Sequence, residues 1–503
     1  MSPMQRAETE LMVLPNHEAG RLGKRHVLGQ FPTPSPVAEF MASLFDASSR
    51  EIELLDPGAG AGALTAALVR RLCHSRCKPT RIAVTAYELD EACIGPLKTT
   101  VSRCRHACEE AGISFSAKVL NEDFITAAAL MVRDDLFAPQ PPRFNAVIVN
   151  PPYRKIRSDS PARLLLRSAG IETSNLYTGF IALVTKLLAN GGELVAITPR
   201  SFCNGPYFRP FRAAFLRTMS LRHLHVFESR SAAFSGDNVV QENVIVHAVK
   251  GDTPPARVII SSSSGEPDGS VMQRQVAYRD VVSPADPEQF IRLRVDDGHE
   301  RATLAMSRLP MTLAELGLSV STGRVVDFRA EPYLRQHPAS NTVPLIHPCH
   351  FGRGFVRWPK DGSRKPNAIV NDERTRDLLV PEGVYVLVKR FSAKEERRRL
   401  VACIYDPDRV RAPLVGFENH LNYFHVRGHG MPMTQAKGLA AFLNSTVVDT
   451  YFREFSGHTQ VNATDLRTLN YPTKAVLERL GRRVDDTGMP QYALDDLVAQ
   501  ELL

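Results

Sequence analysis

The sequence predicts an α/β protein: an open, mostly parallel sheet covered by helices, followed by a second region of mixed α+β character. Three observations carry that class. Short apolar, β-branched runs alternate with helix-like stretches through the first half, the pattern that builds βαβ units. Four of those runs end in a polar residue, where an open α/β sheet binds its ligands. A glycine-rich turn leads from the first of these strands straight into a helix. At 503 residues the chain exceeds one ordinary core, so two domains are expected.

Taken in order, Leu54-Leu55-Asp56-Pro57-Gly58-Ala59-Gly60-Ala61-Gly62 passes from an apolar strand into the helix-like residues 63–69. Its glycines let a ligand approach the backbone, and the helix start presents free N–H groups. By itself such a turn is unspecific, because dinucleotide and phosphate sites share it. The second strand, 82–87, ends in Glu88-Leu89-Asp90, with an acid placed to hold ribose hydroxyls. The third, 117–120, leads to Asn121-Glu122-Asp123-Phe124, where Asp123 suits an adenine amino group and Phe124 its ring.

The fourth run, Phe144-Asn145-Ala146-Val147-Ile148-Val149, reads as a buried parallel strand ending in Asn150-Pro151-Pro152-Tyr153. The Asn150 side-chain oxygen and the Pro151 carbonyl can accept both protons of one amino group. Pro151 and Pro152 stiffen the backbone, since each fixes φ and donates no hydrogen bond. Tyr153 offers a flat face to a base. The combination suits methylation of an exocyclic amine conjugated to a ring. Such a nitrogen is a poor nucleophile until its N–H bonds are held so that its lone pair leaves the ring system.

Asp56, Glu88, Asp123 and Asn150 on four successive strand ends resemble the S-adenosylmethionine-dependent methyltransferases of DNA amino groups. Within these the chain resembles the gamma class, the TaqI-like adenine-N6 enzymes, and its wording is nearest the PstI/BsuBI-type modification methylases. Gly29-Gln30-Phe31-Pro32-Thr33-Pro34-Ser35-Pro36-Val37-Ala38 resembles that class's N-terminal cofactor motif, ahead of the glycine turn. Asn175-Leu176-Tyr177-Thr178-Gly179-Phe180 and residues 187–200 resemble the helix and fifth strand after the catalytic loop.

The resemblance implies a Rossmann-like methyltransferase sheet, mixed and seven-stranded with one antiparallel strand, in which 241–248 is the last strand. It implies S-adenosyl-L-methionine as cofactor. Thr33, Asp56, Gly58 and Gly60 would lie toward its methionine end, Glu88 at its ribose, and Asp123 and Phe124 at its adenine. Asn150, Pro151, Pro152 and Tyr153 would grip the target adenine, with Phe234 on the base's other face and Phe227 as the competitor for that place. It further implies double-stranded DNA as substrate, with CTGCAG as the recognition sequence, a separate restriction endonuclease, and a monomer rather than a dimer. The same tetrapeptide occurs in methylases of RNA bases and of protein glutamine amides, and a DNA-specificity subunit without catalysis is a third alternative.

Residues 1–21 read as an extension, 22–310 as the catalytic domain, and 311–503 as a target-recognition domain. Net charge is +8, and residues 353–411 hold 15 Lys/Arg against 9 Asp/Glu. Basic residues at strand edges suit phosphate contacts and reading of guanine; Arg324, Arg353, Arg357, Lys389 and Arg390 are the candidates. No apolar run has membrane-spanning length and the first 16 residues lack the form of a signal peptide, so a cytoplasmic, DNA-associated bacterial protein is expected.

No metal site is expected. Cys73/Cys77 and Cys104/Cys108 read as one-faced helix pairs packed in a core, and His347-Pro348-Cys349-His350 as a loop rather than a ligand set. Thr253-Pro254-Pro255 and Ser261-Ser262-Ser263-Ser264-Gly265 read as turn or linker signals. Glu242-Asn243-Val244 and Pro348-Cys349 imitate the parts of a cytosine ring-carbon methylase, but in reversed order.

Overall fold

The computed structural model describes residues 32–46, 48–132, 143–227, 243–251, 253–263, 271–284, 286–293, 297–392, 396–455, 460–485 and 489–502. Contacts divide the chain into two compact units, Met1–Val295 and Asp296–Leu503, a division that falls ahead of Pro310.

The first unit is a three-layer sandwich. Its strands are β1 (Glu51–Pro57), β2 (Arg81–Tyr87), β3 (Ser114–Leu120), β4 (Phe144–Val149), β5 (Leu188–Pro199), β6 (Met219–Phe227), β7 (Asn243–Lys250), β8 (Arg257–Ser263) and β9 (Met272–Ala277). They form one sheet in the order β3-β2-β1-β4-β5-β7-β6-β8-β9. The first five in that order are parallel. β7 runs antiparallel between β5 and β6, and β9 antiparallel to β8.

The α/β class and the mixed sheet stand, but the strand count expected from the sequence does not. Nine strands replace seven, two are antiparallel rather than one, and the strand around residues 243–250 is followed by two more. The extra strands explain the serine run. Ser261, Ser262 and Ser263 close β8 instead of forming a linker, and all three are buried. Buried hydroxyls need partners; Ser261 bonds to His223 and His225 at 2.7 and 2.8 Å, and Ser263 to His225 at 3.0 Å.

Strand composition follows from this layering. In β4, Ala146 and Ile148 enter one core while Val147 and Val149 enter the other, so residues 146–149 are apolar throughout. One face is covered by α1 (Ser35–Ser43), α2 (Ala63–His74) and α3 (Glu91–Glu110). The other is covered by α4 (Phe124–Met131), α5 (Pro161–Ser168), α6 (Leu176–Leu187) and α7 (Arg209–Thr218). Cys73, Cys104 and Cys108 are buried between α2 and α3, with Cys73 and Cys108 sulfurs 3.8 Å apart. Cys77 is not part of a helix face as expected. α2 ends at His74, Ser75 turns extended, and Cys77 is exposed ahead of Lys78-Pro79, where the proline disfavours helix.

The second unit holds two sheets. One is β10 (Ser319–Thr322), β18 (Leu421–His425), β15 (Tyr385–Lys389) and β16 (Ala402–Tyr405). The other, in sheet order, is β11 (Leu334–Arg335), β13 (Ala368–Val370), β12 (Thr342–Ile346), β17 (Leu414–Phe417) and β14 (Leu379–Pro381). Among the named strands of the described residues in this unit, β12 and β17 pair in parallel and the other pairs are antiparallel. Ile346, Val380 and Phe417 share a core with Tyr385, Leu387, Tyr405 and Tyr423, so the two sheets bury their facing sides together. Helices α8 (Asp297–Ser307), α9 (Met433–Leu443), α10 (Thr446–Phe455), α11 (Lys474–Arg483) and α12 (Gln491–Leu502) complete the unit.

Candidate active site

Parallel pairing brings the four sequence-predicted strand ends to one edge. Asp56 is opposite Ala86, and Tyr87 opposite Leu120, so Glu88 and Asn121 leave the sheet side by side. β4 lies between β1 and β5, which sets Asn150 next to the glycine turn.

Asp56 is fully buried. Its Oδ2 accepts from the Thr65 hydroxyl at 2.6 Å, while Oδ1 has no hydrogen-bond partner among the described residues. Burial, reinforced by the nearby Glu88 carboxylate and opposed by the Thr65 bond, pushes its pKa up to about 7. A buried acid with one unsatisfied oxygen is a receptor for a donor or a cation. Thr65, one turn into α2, was not singled out from the sequence; a hydroxyl nine residues beyond the acid was the available signal.

The turn itself is built by left-handed residues. Gly58 and Gly60 have φ of +93° and +56°, and a Cβ on Gly60 would meet nothing within 4 Å, so the backbone there faces open space. The Gly58 and Ala59 N–H groups donate to the Tyr87 carbonyl, which fixes the turn against β2. Glu88 accepts the Gly60 N–H on Oε2 and the Asp90 N–H on Oε1, both at 2.7 Å. Each carboxylate oxygen has further lone-pair capacity, so this does not exhaust it.

Asp123 caps α4 by accepting from the Thr126 N–H at 2.7 Å. Phe124 is a core ring, 5.3 Å from Tyr87 and 5.1 Å from Phe180 between centroids. Asp90 likewise caps α3. These residues therefore shape the edge as well as face it.

Asn150 donates its amide nitrogen to the Thr33 hydroxyl at 3.0 Å. With the nitrogen toward residue 33, the side-chain oxygen lies on the opposite edge; a hydroxyl, donor and acceptor alike, pairs with either edge of an amide. Pro151 is buried and Pro152 half-buried. The Tyr153 hydroxyl donates to the Ile197 carbonyl at 3.1 Å, and Tyr177 meets its ring edge-on at 6.3 Å. Burial raises the Tyr153 pKa well above the ordinary phenol value. Tyr177 is in turn tied to Ser201 at 3.0 Å. Tyr177 belongs to a motif quoted from the sequence, but its pinning of Tyr153 needs β5 beside β4 to be visible.

Of the two aromatics weighed for the second face of the base, Phe234 lies outside the described residues. Phe227 is buried at the end of β6, edge-on to His225 at 5.0 Å.

The basic candidates of the second unit divide. Arg353 and Arg357 are exposed. Arg324 is exposed and donates to the Asp377 carbonyl at 3.1 Å. Lys389 lies over the Phe351 ring at 5.8 Å. Arg390 is half-buried and committed, donating to the Asn419 carbonyl at 3.1 Å and to Gln460 at 3.3 Å.

Comparison with known proteins agrees with this geometry. The family model described as Eco57I restriction-modification methylase matches residues 102–234, a span that contains Asn150-Pro151-Pro152-Tyr153. The chain is 44% identical over 478 residues to the type II methyltransferase M.PstI of Providencia stuartii, covering 95% of this chain and 93% of that one. It is 43% identical over 487 residues to the type II methyltransferase M.BsuBI of Bacillus subtilis, covering 96% and 95%. With such identity across nearly the whole of both chains, and with its four strand-end residues gathered on one sheet edge, this chain belongs to the gamma-class, Eco57I-like methyltransferases related to the PstI and BsuBI modification enzymes.

Proposed function

We propose that the chain is the modification enzyme of a restriction-modification system, methylating the N6 amino group of adenine in duplex DNA with S-adenosyl-L-methionine, opposite a separate restriction endonuclease. The observation that carries this reading is the juxtaposition of Asn150-Pro151-Pro152-Tyr153 with the Asp56–Gly60 turn on adjacent parallel strands. When bound, S-adenosylmethionine supplies an electrophilic methyl group. The residues fit such a group: the unpartnered Asp56 Oδ1 suits its cationic methionine end, the open backbone at Gly60 admits close approach, and the Glu88 carboxylate stands where ribose hydroxyls would lie. Asp123 and Phe124 bound the adenine side, and Thr33 stands at the methionine side.

The target adenine leaves the base stack to reach this edge. Asn150 Oδ1 and the Pro151 carbonyl accept its two amino protons, which turns the nitrogen lone pair out of the ring system. Thr33 anchors one edge of the Asn150 amide, leaving the other to the base, and Tyr153, held by Ile197 and Tyr177, stacks on the base. Phe234 is the proposed second stacking residue. Catalysis then rests on positioning and on hydrogen bonds that strengthen as charge develops on nitrogen. Residues 22–310 carry this chemistry; residues 311–503 dock on DNA through Arg324, Arg353, Arg357 and Lys389, with CTGCAG as the site read and the monomer as the working form.

A labelled-methyl transfer assay offering duplex DNA, RNA and protein separately tests the reading. Label is expected in duplex DNA containing CTGCAG, recovered as N6-methyladenine. Label in RNA or in protein glutamine, with DNA unlabelled, would overturn it.

A further inference from the structure

We propose that Asp327, His347 and Glu418 of the second unit form a structural site for a divalent transition-metal ion of the zinc class. Three chain segments are pinned side by side there. β12 and β17 pair in parallel through Ile346 and Phe417, and Val325 bridges Glu418 in parallel. The Glu418 N–H donates to the Ile346 carbonyl at 3.1 Å, the Val325 N–H to Phe417 at 3.1 Å, and the Asn419 N–H to Val325 at 2.8 Å. One ligand atom from each of Asp327, His347 and Glu418 can be chosen so that all lie within 4.8 Å of one another.

Independent of that clustering, the His347 side chain is 1% exposed and, apart from capping the His350 N–H, neither ring nitrogen has a hydrogen-bond partner among the described residues. Nε2 lies 4.0 Å from Asp327 Oδ1 and Nδ1 lies 3.8 Å from Glu418 Oε2. Asp327 Oδ1 is buried and unpartnered as well. These separations are too long for hydrogen bonds. They run from different ring nitrogens, so an ion held by one of them draws its ligand atoms in from a spread of up to 4.8 Å to the roughly 3.4 Å between two ligands of a tetrahedral ion with ~2.1 Å bonds. In either neutral tautomer of His347, one nitrogen turns a lone pair toward a carboxylate oxygen, and a cation resolves that opposition.

Other groups also bind these carboxylates, at Asp327 Oδ2, at Glu418 Oε1 and at Glu418 Oε2 itself. Lys365 holds Asp327 Oδ2 at 2.7 Å, and His420 bonds to Glu418 Oε1 through its ring and to Oε2 through its backbone N–H. The other members of His347-Pro348-Cys349-His350 face elsewhere: His350 accepts the His347 N–H and bonds to Asn367, and Cys349 lies 3.7 Å from Ser363. One imidazole with two carboxylates suits zinc better than magnesium or calcium, which prefer oxygen alone. Such an ion would fasten the segment that carries Arg324 to the parallel pair β12–β17.

The test uses untagged full-length protein purified without chelator. Elemental analysis is expected to find close to one zinc per chain. Chelator-treated protein should gain roughly 3 °C or more in Tm on adding zinc, but not magnesium. His347→Asn should lose both the metal and the shift. Asp327→Asn, at a quarter-exposed position and so less prone to misfold, should lose at least half of the metal. Folded wild-type protein that holds no metal and shows no zinc-dependent shift would overturn the proposal, as would full metal content in both variants, which would place the ion on cysteines.

Discussion

The two units handle functional side chains in opposite ways. In the first, Asp56, Glu88, Asp123 and Asn150 are delivered to one edge by four parallel strands, each within a few residues of the strand that carries it. In the second, basic residues are spread over two mostly antiparallel sheets, and some are consumed by structure. Arg390 ties three segments together, and Arg399 is fully buried over Phe452 while donating to the Ser392 carbonyl. A polar residue at the end of a parallel strand is therefore a positional signal. An arginine in an antiparallel sheet is only a count until its partners are known.

The largest test of that contrast is Asn150→Ala. Methyl transfer should fall by about 10²–10³-fold, because one of the two developing interactions on the amine is lost, while equilibrium dialysis finds S-adenosylmethionine affinity nearly unchanged. Activity within tenfold of wild type would remove the catalytic meaning of the strand-end alignment. Thr33→Val should cost about tenfold in kcat, as one orienting hydrogen bond of ~1.4 kcal/mol disappears, with a smaller change in KM for the cofactor.

Asp56 sharpens the comparison through pH. Its folded pKa of about 7 lies above the ordinary 3.8, so the folded state holds the proton more tightly. In ligand-free protein the resulting stability is complete below about pH 4 and is lost as pH rises through about 7. A cationic ligand favours the ionised form, so S-adenosylmethionine affinity should rise with pH up to about 7 and binding should release a proton below it. Calorimetry in buffers of different ionisation enthalpy measures that release, and Asp56→Asn should abolish it.

In the second unit the effects are smaller and should sort by burial. Arg353→Ala and Arg357→Ala should each lower the salt dependence of DNA binding by about 0.9 in log–log slope, the value of one phosphate contact. Arg390→Ala should leave that slope unchanged and cost roughly 1 kcal/mol of stability, because two part-buried acceptors lose their donor. Anisotropy titrations at several salt concentrations, beside urea melts, separate the two. Equal slopes for all three variants would erase the distinction between exposed and committed arginines.

The catalytic half was legible because its information is local. Apolar, β-branched runs marked β1 to β4, resemblance marked β5, the glycine turn marked the start of α2, and the tetrapeptide carried the chemistry proposed for it. Strand 261–263 was misread because serines signal turns locally, and only β6, by bringing His223 and His225 alongside, makes buried serines acceptable there. Cys77 failed in the reverse sense, as spacing suggested a helix face beyond the point where Pro79 forbids helix.

The sequence by itself determined the α/β class, the order of the four strand ends, and the tetrapeptide proposed to grip an amine, since each depends on neighbours a few positions apart. Tertiary structure decided the nine-stranded sheet, the Thr33–Asn150 and Tyr153–Ile197 bonds, the commitment of Arg390, and the meeting of Asp327, His347 and Glu418. The partners in those bonds are 117, 44 and 29 residues apart for Thr33–Asn150, Tyr153–Ile197 and Arg390–Asn419. Contacts of that range are set by which strands pair and in what register, and local pattern does not encode it.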